Sequence, residues 1–234
     1  NSAKFDTKLK IYFDDSVKSI YMKLFTKSKG DEKVIRLELF NICDRIYMHQ
    51  APSYLKHFKD NLKSFEFMVI VNLGCTLRKF DWTKEFMDKY GDRLSDENSA
   101  DCYNISLANY FSTTKDFESS ILYSGKVSKK IAHYFYTSRM SILKCYYEMD
   151  NEEGMQYAFD NIKQYLRRNN SINSYDVQIL KPFVSVFSDL LKVKDSVHDK
   201  SLKNEKAGFL IKRIENYKDI LYSRNWFLRK LREM

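Results

Sequence analysis

Apolar residues return every three or four positions through most of this chain, the spacing that lays one greasy stripe along a helix. Between residues 33 and 50, Val34, Leu37, Ile42, Ile46 and Tyr47 approximate it. Near the end, Leu210, Ile214, Tyr217 and Leu221 follow it, and it resumes at Leu228 and Leu231. The pattern predicts helices over about 5–27, 33–50, 64–79 and 175–192. Breaks fall at Ser28-Lys29-Gly30-Asp31, where Gly permits the turn and Asp can cap the next helix, and at Ala51-Pro52-Ser53. Pro182, inside the 175–192 stretch, predicts a kink or a later start, and the charged residues 192–206 predict a loop.

A longer period overlies the short one. Leu73-Gly74 with Leu77 and then Asp81, Leu107-Ala108 with Phe111 and then Asp116, and Ile142-Leu143 with Tyr146 and then Asp150 are three copies of one pattern, 34 to 35 residues apart. A fixed period of that length is the mark of stacked helix-turn-helix units. The small residues Gly74 and Ala108 let a partner helix approach. Asp81, Asp116 and Asp150 are placed to accept from free N–H groups at the start of the second helix. Phe86, Ile121 and Met155, five residues past each Asp, are the apolar anchors that pack back. The fold class expected is all-α: a right-handed superhelix of about five antiparallel hairpins. A first hairpin occupies 1–51, repeats occupy about 64–168, and capping helices 174–234 close a single repeat domain. Composition agrees, since 6 Gly and 2 Pro leave few tight turns for an all-β fold.

The repeats resemble the tetratricopeptide repeat, most closely at Leu107-Ala108, Phe111 and Asp116-Phe117. That family places a Trp three residues before the apolar pair, where this chain has Ile70, Asn104 and Arg139, so the likeness is to a degenerate form. The runs Leu73 to Thr83, Asn104 to Ala108, Tyr165 to Asn169 and Arg224 to Leu228 also resemble a group of Bacteroidetes helical-repeat proteins without an assigned activity. Those are longer, and the chain opens at Asn1 without Met, so it reads as the C-terminal part of a longer protein. The resemblance implies a cytoplasmic repeat protein and supplies no catalytic residue.

Candidate chemistry is sparse. Cys43, Cys75, Cys102 and Cys145 are spaced as neither a disulfide framework nor a zinc site, and read as buried, reduced thiols. His49, His57, His133 and His198 form no metal motif. Acid pairs such as Asp14-Asp15 and Glu152-Glu153 diverge on a helix, and no phosphate loop or nucleophile elbow occurs. No enzyme, metal or cofactor is expected. No window has the roughly 18 to 20 apolar residues of a membrane span, and residues 1–10 carry no signal core.

Charge raises a second reading. The net charge is +9, and the last 45 residues hold 12 Lys and Arg against 6 Asp and Glu, so nucleic-acid binding through a basic surface is the alternative. The favoured reading is a protein-interaction scaffold whose concave face, formed by the first helix of each repeat, receives a peptide or partner helix. By analogy with the tetratricopeptide arrangement, its contact residues are Arg78 and Lys79, Asn109 and Ser112, and Lys144 and Tyr147. Basic and amide groups at those positions suit an acidic or carboxylate-bearing peptide.

Overall fold

A computed structural model describes residues 18–19, 32–49, 62–94, 96–168, 174–196, 200–218 and 221–234. The expected helix over 5–27, apart from Lys18 and Ser19, and the breaks at 28–31 and 51–53 lie outside the described residues. The protein is all-α. Among the described residues the extended pairing is confined to one parallel bridge between Leu62 and Leu94. The chain divides into two compact units, Asn1–Ser128 and Lys129–Met234. That boundary falls between the second and third copies of the sequence pattern.

The first unit contains α1 (Glu32–Asp44, continued by a π-helical turn Arg45–His49), α2 (Ser64–Thr76), α3 (Phe80–Tyr90), α4 (Ser99–Thr114) and α5 (Phe117–Gly125). Its core gathers Leu39, Ile46 and Tyr47 of α1 with Phe67, Ile70 and Leu73 of α2 and Phe86 and Tyr90 of α3. Ring contacts fix the register. Phe40 meets Trp82 at 4.7 Å and Tyr47 meets Tyr90 at 5.4 Å, so α1 and α3 run parallel. Phe67 meets Tyr103 at 5.9 Å, and Asn109 Nδ2 donates to Asn72 Oδ1 at 3.3 Å, so α2 and α4 also run parallel. Each of these pairs is separated in sequence by one intervening helix, as successive hairpins require.

The second unit contains α6 (Ala132–Glu148), α7 (Glu152–Arg168), α8 (Ser174–Lys194), α9 (Lys200–Glu215) and α10 (Arg224–Arg232). Tyr136 donates to Asp176 at 2.8 Å near one end of the α6–α8 pair, and Tyr147 meets Phe187 at 6.0 Å further along, so these helices are parallel too. Pro182 lies within α8, which continues for 21 residues. Fully buried Phe183, Val186 and Phe187 beside it offset the roughly 3 kcal/mol that a mid-helix proline costs. The 192–206 loop expected from charge is mostly helix. Lys and Glu are good helix formers, and Ala207, Leu210 and Ile214 give α9 a buried stripe. The final helical pattern is two helices, since α9 ends at Glu215 and α10 begins at Arg224.

All three hairpin turns have one geometry. Arg78, Lys115 and Asp150 adopt left-handed backbone, with φ of 56°, 69° and 51°. In each, the next residue's N–H reaches five back, from Lys79 to Gly74, Asp116 to Phe111 and Asn151 to Tyr146, at 2.9, 2.9 and 3.0 Å. This is the Schellman closure of a helix end. It corrects two expectations. Leu107 and Ile142 stand eight residues before the left-handed position and Leu73 stands five before it, so Ile70 is their counterpart and the first copy is displaced by about one helical turn. Only one of the three Asp residues caps as expected: Asp116 accepts from Ser119 N–H at 3.1 Å. At the third turn Asn151 does so, for Gly154 N–H at 2.8 Å, because Asp150 already occupies the left-handed site. Asp81 falls inside the first turn of α3, where the cap position is Lys79 and no side chain caps.

Gly74 allows α2 and α3 to touch. A Cβ there would lie 2.2 Å from Thr83 Oγ1. In the third hairpin the small residue is on the second helix instead: Leu143 is fully buried, and a Cβ on Gly154 would meet Tyr146 at 2.6 Å. Phe86 and Met155 are buried as the expected anchors, and Ile121 is half-buried.

Candidate functional site

In the first unit, α2 and α4 lie side by side, with an exposed stripe on α2 and a half-buried one on α4. On α2 the residues Phe65, Asn72 and Thr76 recur at steps of seven and four and are exposed. On α4 the corresponding stripe is Ile105, Asn109 and Ser112, all half-buried. The amides of Asn72 and Asn109 hydrogen-bond across the seam, and each keeps further donor and acceptor capacity. Thr113 Oγ1 donates to Asn109 C=O at 2.7 Å and fixes the local backbone.

Of the six residues expected to contact a partner, four belong to the first unit and two to the second. Asn109 and Ser112 share the α4 stripe. Arg78 is exposed at the left-handed turn that ends α2. Lys79 is exposed but drawn to α1, its ammonium 5.8 Å from the Phe40 ring. Lys144 and Tyr147 belong to the second unit and lie beneath its own C-terminal segment. Tyr147 is only 8% exposed, packed against Phe187 and Trp226, and burial pushes its phenol pKa up to about 12. Lys144 is half-buried with its ammonium 5.5 Å from the Tyr222 ring. Thus α10 fills the face of α6 on which the analogy places a partner.

What fastens α10 there had no signal in the sequence. Glu148 Oε1 accepts from Trp226 Nε1 at 2.7 Å and from Arg229 at 3.0 Å, and Lys230 lies 2.7 Å from Oε2. These pairs are about 80 residues apart in sequence, with no motif to link them. Asn72 was also missed, although a signal existed. It precedes Asn109 by 37 residues, the separation of the left-handed positions Arg78 and Lys115.

Two further polar constructions sit in the fold. Behind α3, an open groove of about 560 Å³ is lined by Asp81, Lys84, Glu85, Asp88, Lys89 and Tyr110, with Lys84 and Asp88 paired at 2.5 Å. In the second unit, Tyr136 donates to buried Asp176, and His133 Nδ1 lies 2.7 Å from the same phenol oxygen. Because the phenol proton is committed to Asp176, Nδ1 of His133 carries the proton it donates to Tyr136. Burial holds the His133 pKa below its ordinary value, with Asp176 opposing. The four cysteines are free and buried, and burial pushes the thiols of Cys43 and Cys75 up to about 12.

No protein-family model matches this sequence, and no curated protein or solved structure matches it. No helix among the described residues is long and apolar enough to cross a membrane.

Proposed function

We propose that this protein is an interaction scaffold: a tetratricopeptide-like superhelix of antiparallel hairpins that binds an acidic, carboxylate-bearing peptide across α2 and α4. The reading rests on one observation above the others. Two parallel helices present paired amides, exposed Asn72 and half-buried Asn109, with exposed Phe65 at one end and exposed Arg78 at the other. Amides with spare capacity satisfy a peptide backbone, an exposed ring takes an apolar side chain, and an Arg fork takes a carboxylate. Lys144 and Tyr147 belong to the second unit, where Tyr222 faces the first and Trp226 of α10 packs on the second. A cytoplasmic setting goes with the reading, since free thiols persist where the medium is reducing.

The nucleic-acid alternative draws less support. Of the four cations in α10, Arg229 and Lys230 are paired with Glu148 and Glu233, and Arg232 with Glu215, so these three are already engaged within the protein. Selection of a random peptide library on the whole chain tests the proposal. Acidic peptides should be recovered, and the Asn72→Ala/Asn109→Ala and Arg78→Ala variants should bind them roughly 5- to 30-fold more weakly, about 1–2 kcal/mol for charged or paired hydrogen bonds. Recovery of no peptide, with retention on RNA that collapses steeply with salt, would overturn it.

A further inference from the structure

Three glycines of this fold are explained by a neighbour. A Cβ on Gly74, Gly91 or Gly154 would run into Thr83, Tyr103 or Tyr146, at 2.2, 2.5 and 2.6 Å. Gly125 meets nothing within 4 Å, but it is the last residue of α5, where the helix stops. Gly208 is the exception. It lies in the middle of α9, where glycine weakens a helix, and a Cβ there would meet no described residue within 4 Å. Room for a side chain stays empty at that point. Directly beside it Phe209 is 72% exposed, the highest value among the described large apolar side chains.

The buried stripe of α9 is Ala207, Leu210 and Ile214, so Glu205, Phe209 and Lys212, at steps of four and three, come to the outer side with Gly208 on their flank. Leu202, 40% exposed, stands on that side two turns before Phe209. Three charged groups of the helix are engaged within the second unit: Lys206 donates to Ser196 Oγ at 2.9 Å, Arg213 holds Asp189 at 2.5 Å and Glu215 holds Arg232 at 2.9 Å. Glu205 and Lys212 are not. Both are exposed, and among the described residues neither side chain forms an ion pair.

We propose that the outer face of α9 binds a second copy of this chain as an antiparallel, two-fold symmetric dimer, a surface independent of the peptide-binding reading. The face is complementary to itself. With the two-fold axis passing between Gly208 and Phe209, positions 205 and 212 lie equally far from it, so Glu205 of each chain comes level with Lys212 of the other. Two unlike charge pairs form. The two Phe209 rings meet on one flank of the axis and the two Gly208 backbones on the other, where the missing Cβ lets the helices close up. A parallel arrangement would set Glu205 on Glu205 and Lys212 on Lys212, and like charges across an interface oppose association. The contact is small. A helix of 16 residues is about 24 Å long and about 10 Å across, less than the roughly 800 Å² per partner of a standard interface, so the dimer is weak and reversible.

Sedimentation equilibrium of the whole chain from about 5 to about 500 μM, a range suited to an interface below standard size, provides the test. The average mass should climb with concentration from 28.0 kDa towards twice that value. Phe209→Ala and Gly208→Leu should each weaken the association at least about fivefold, the effect of losing a central anchor or of blocking close approach. Thermal melting should be unchanged in the first and no lower in the second, which removes a mid-helix glycine. Glu205→Lys should weaken association by setting like charges together, and Glu205→Lys/Lys212→Glu should restore it, because the exchange leaves each pair unlike. A mass that stays at 28.0 kDa throughout would mean that the face serves another partner or none, and the proposal would fall. It would fall equally if a dimer forms that these variants leave untouched, or if the double exchange does not recover what the single one loses.

Discussion

Replacing Phe227 with Ala examines the packing that covers α6. The ring is fully buried, with centroids 5.4 Å from Phe183, 6.4 Å from Phe187 and 5.2 Å from Trp226. Phe-to-Ala changes in such settings cost about 3–5 kcal/mol through lost transfer energy and a residual cavity. Here the lower end applies, because α10 is nine residues long and can shift to collapse part of the hole. Full undocking sets an upper limit, since it would wet Phe183, Phe187 and Tyr147 and release the three donors on Glu148. The chain has 2 Trp, and Trp226 belongs to the second unit and Trp82 to the first, so a Trp82→Phe background makes fluorescence a report on the second unit alone. At a urea slope of about 1.5 kcal/mol/M, a loss of about 3 kcal/mol moves the midpoint down by about 2 M. A shift under about 0.5 M at unchanged slope would mean that Phe227 is not a core residue, and the account of α10 would fall.

Four other outcomes are expected. Glu148→Gln should destabilise the second unit by about 1–2 kcal/mol, and Arg229→Ala, truncating a more exposed partner, by under about 0.5 kcal/mol, both read from urea midpoints. Gly74→Ala should cost about 1–3 kcal/mol through overpacking against Thr83 and be partly rescued by Thr83→Ala, as calorimetry of the single and double variants would reveal. The folded protein holds the His133 pKa below its unfolded value near 6.5, so the unfolded chain binds the extra proton first and stability falls as pH drops through that value. The slope of midpoint against pH between 7.5 and 5.5 should flatten in His133→Gln. Thiol titration should find the four cysteines slow in the folded protein and fast in urea.

The helices were readable because their buried faces keep the helical period, and three of the expected turns end in a left-handed residue. The slip in the first copy has a physical origin. Moving a helix by three residues keeps its apolar face, so Leu73 and Ile70 are interchangeable to a pattern of apolar positions, and only the left-handed residue Arg78 separates them. Asp at a cap position was legible where the turn leaves Asp as the first residue after the left-handed one, at Asp116. It misled at Asp150, which the backbone uses as the left-handed residue itself. The candidate site was half legible. Asn109, Ser112 and Arg78 were placed by the analogy with the tetratricopeptide arrangement. The packing over Tyr147 was not legible, because it depends on Trp226 meeting Tyr147 and Glu148 across about 80 residues, and no local rule anticipates that.

The side-by-side parallel run of α2 and α4 underlies the proposed binding face, and short cysteine crosslinks measure it most directly. Phe65 and Thr76 lie towards the two ends of α2, and Ile105 and Thr113 lie along the facing side of α4; Ile105 is half-buried and the other three are exposed. With a bismaleimide of about 8 Å reach, the pairs Phe65→Cys/Ile105→Cys and Thr76→Cys/Thr113→Cys should close within one chain. The crossed pairs Phe65→Cys/Thr113→Cys and Thr76→Cys/Ile105→Cys should not, since about eight to eleven residues of helix separate those positions by about 12 to 16 Å. Efficient closure of the crossed pairs, with none of the matched ones, would show antiparallel helices and contradict the account.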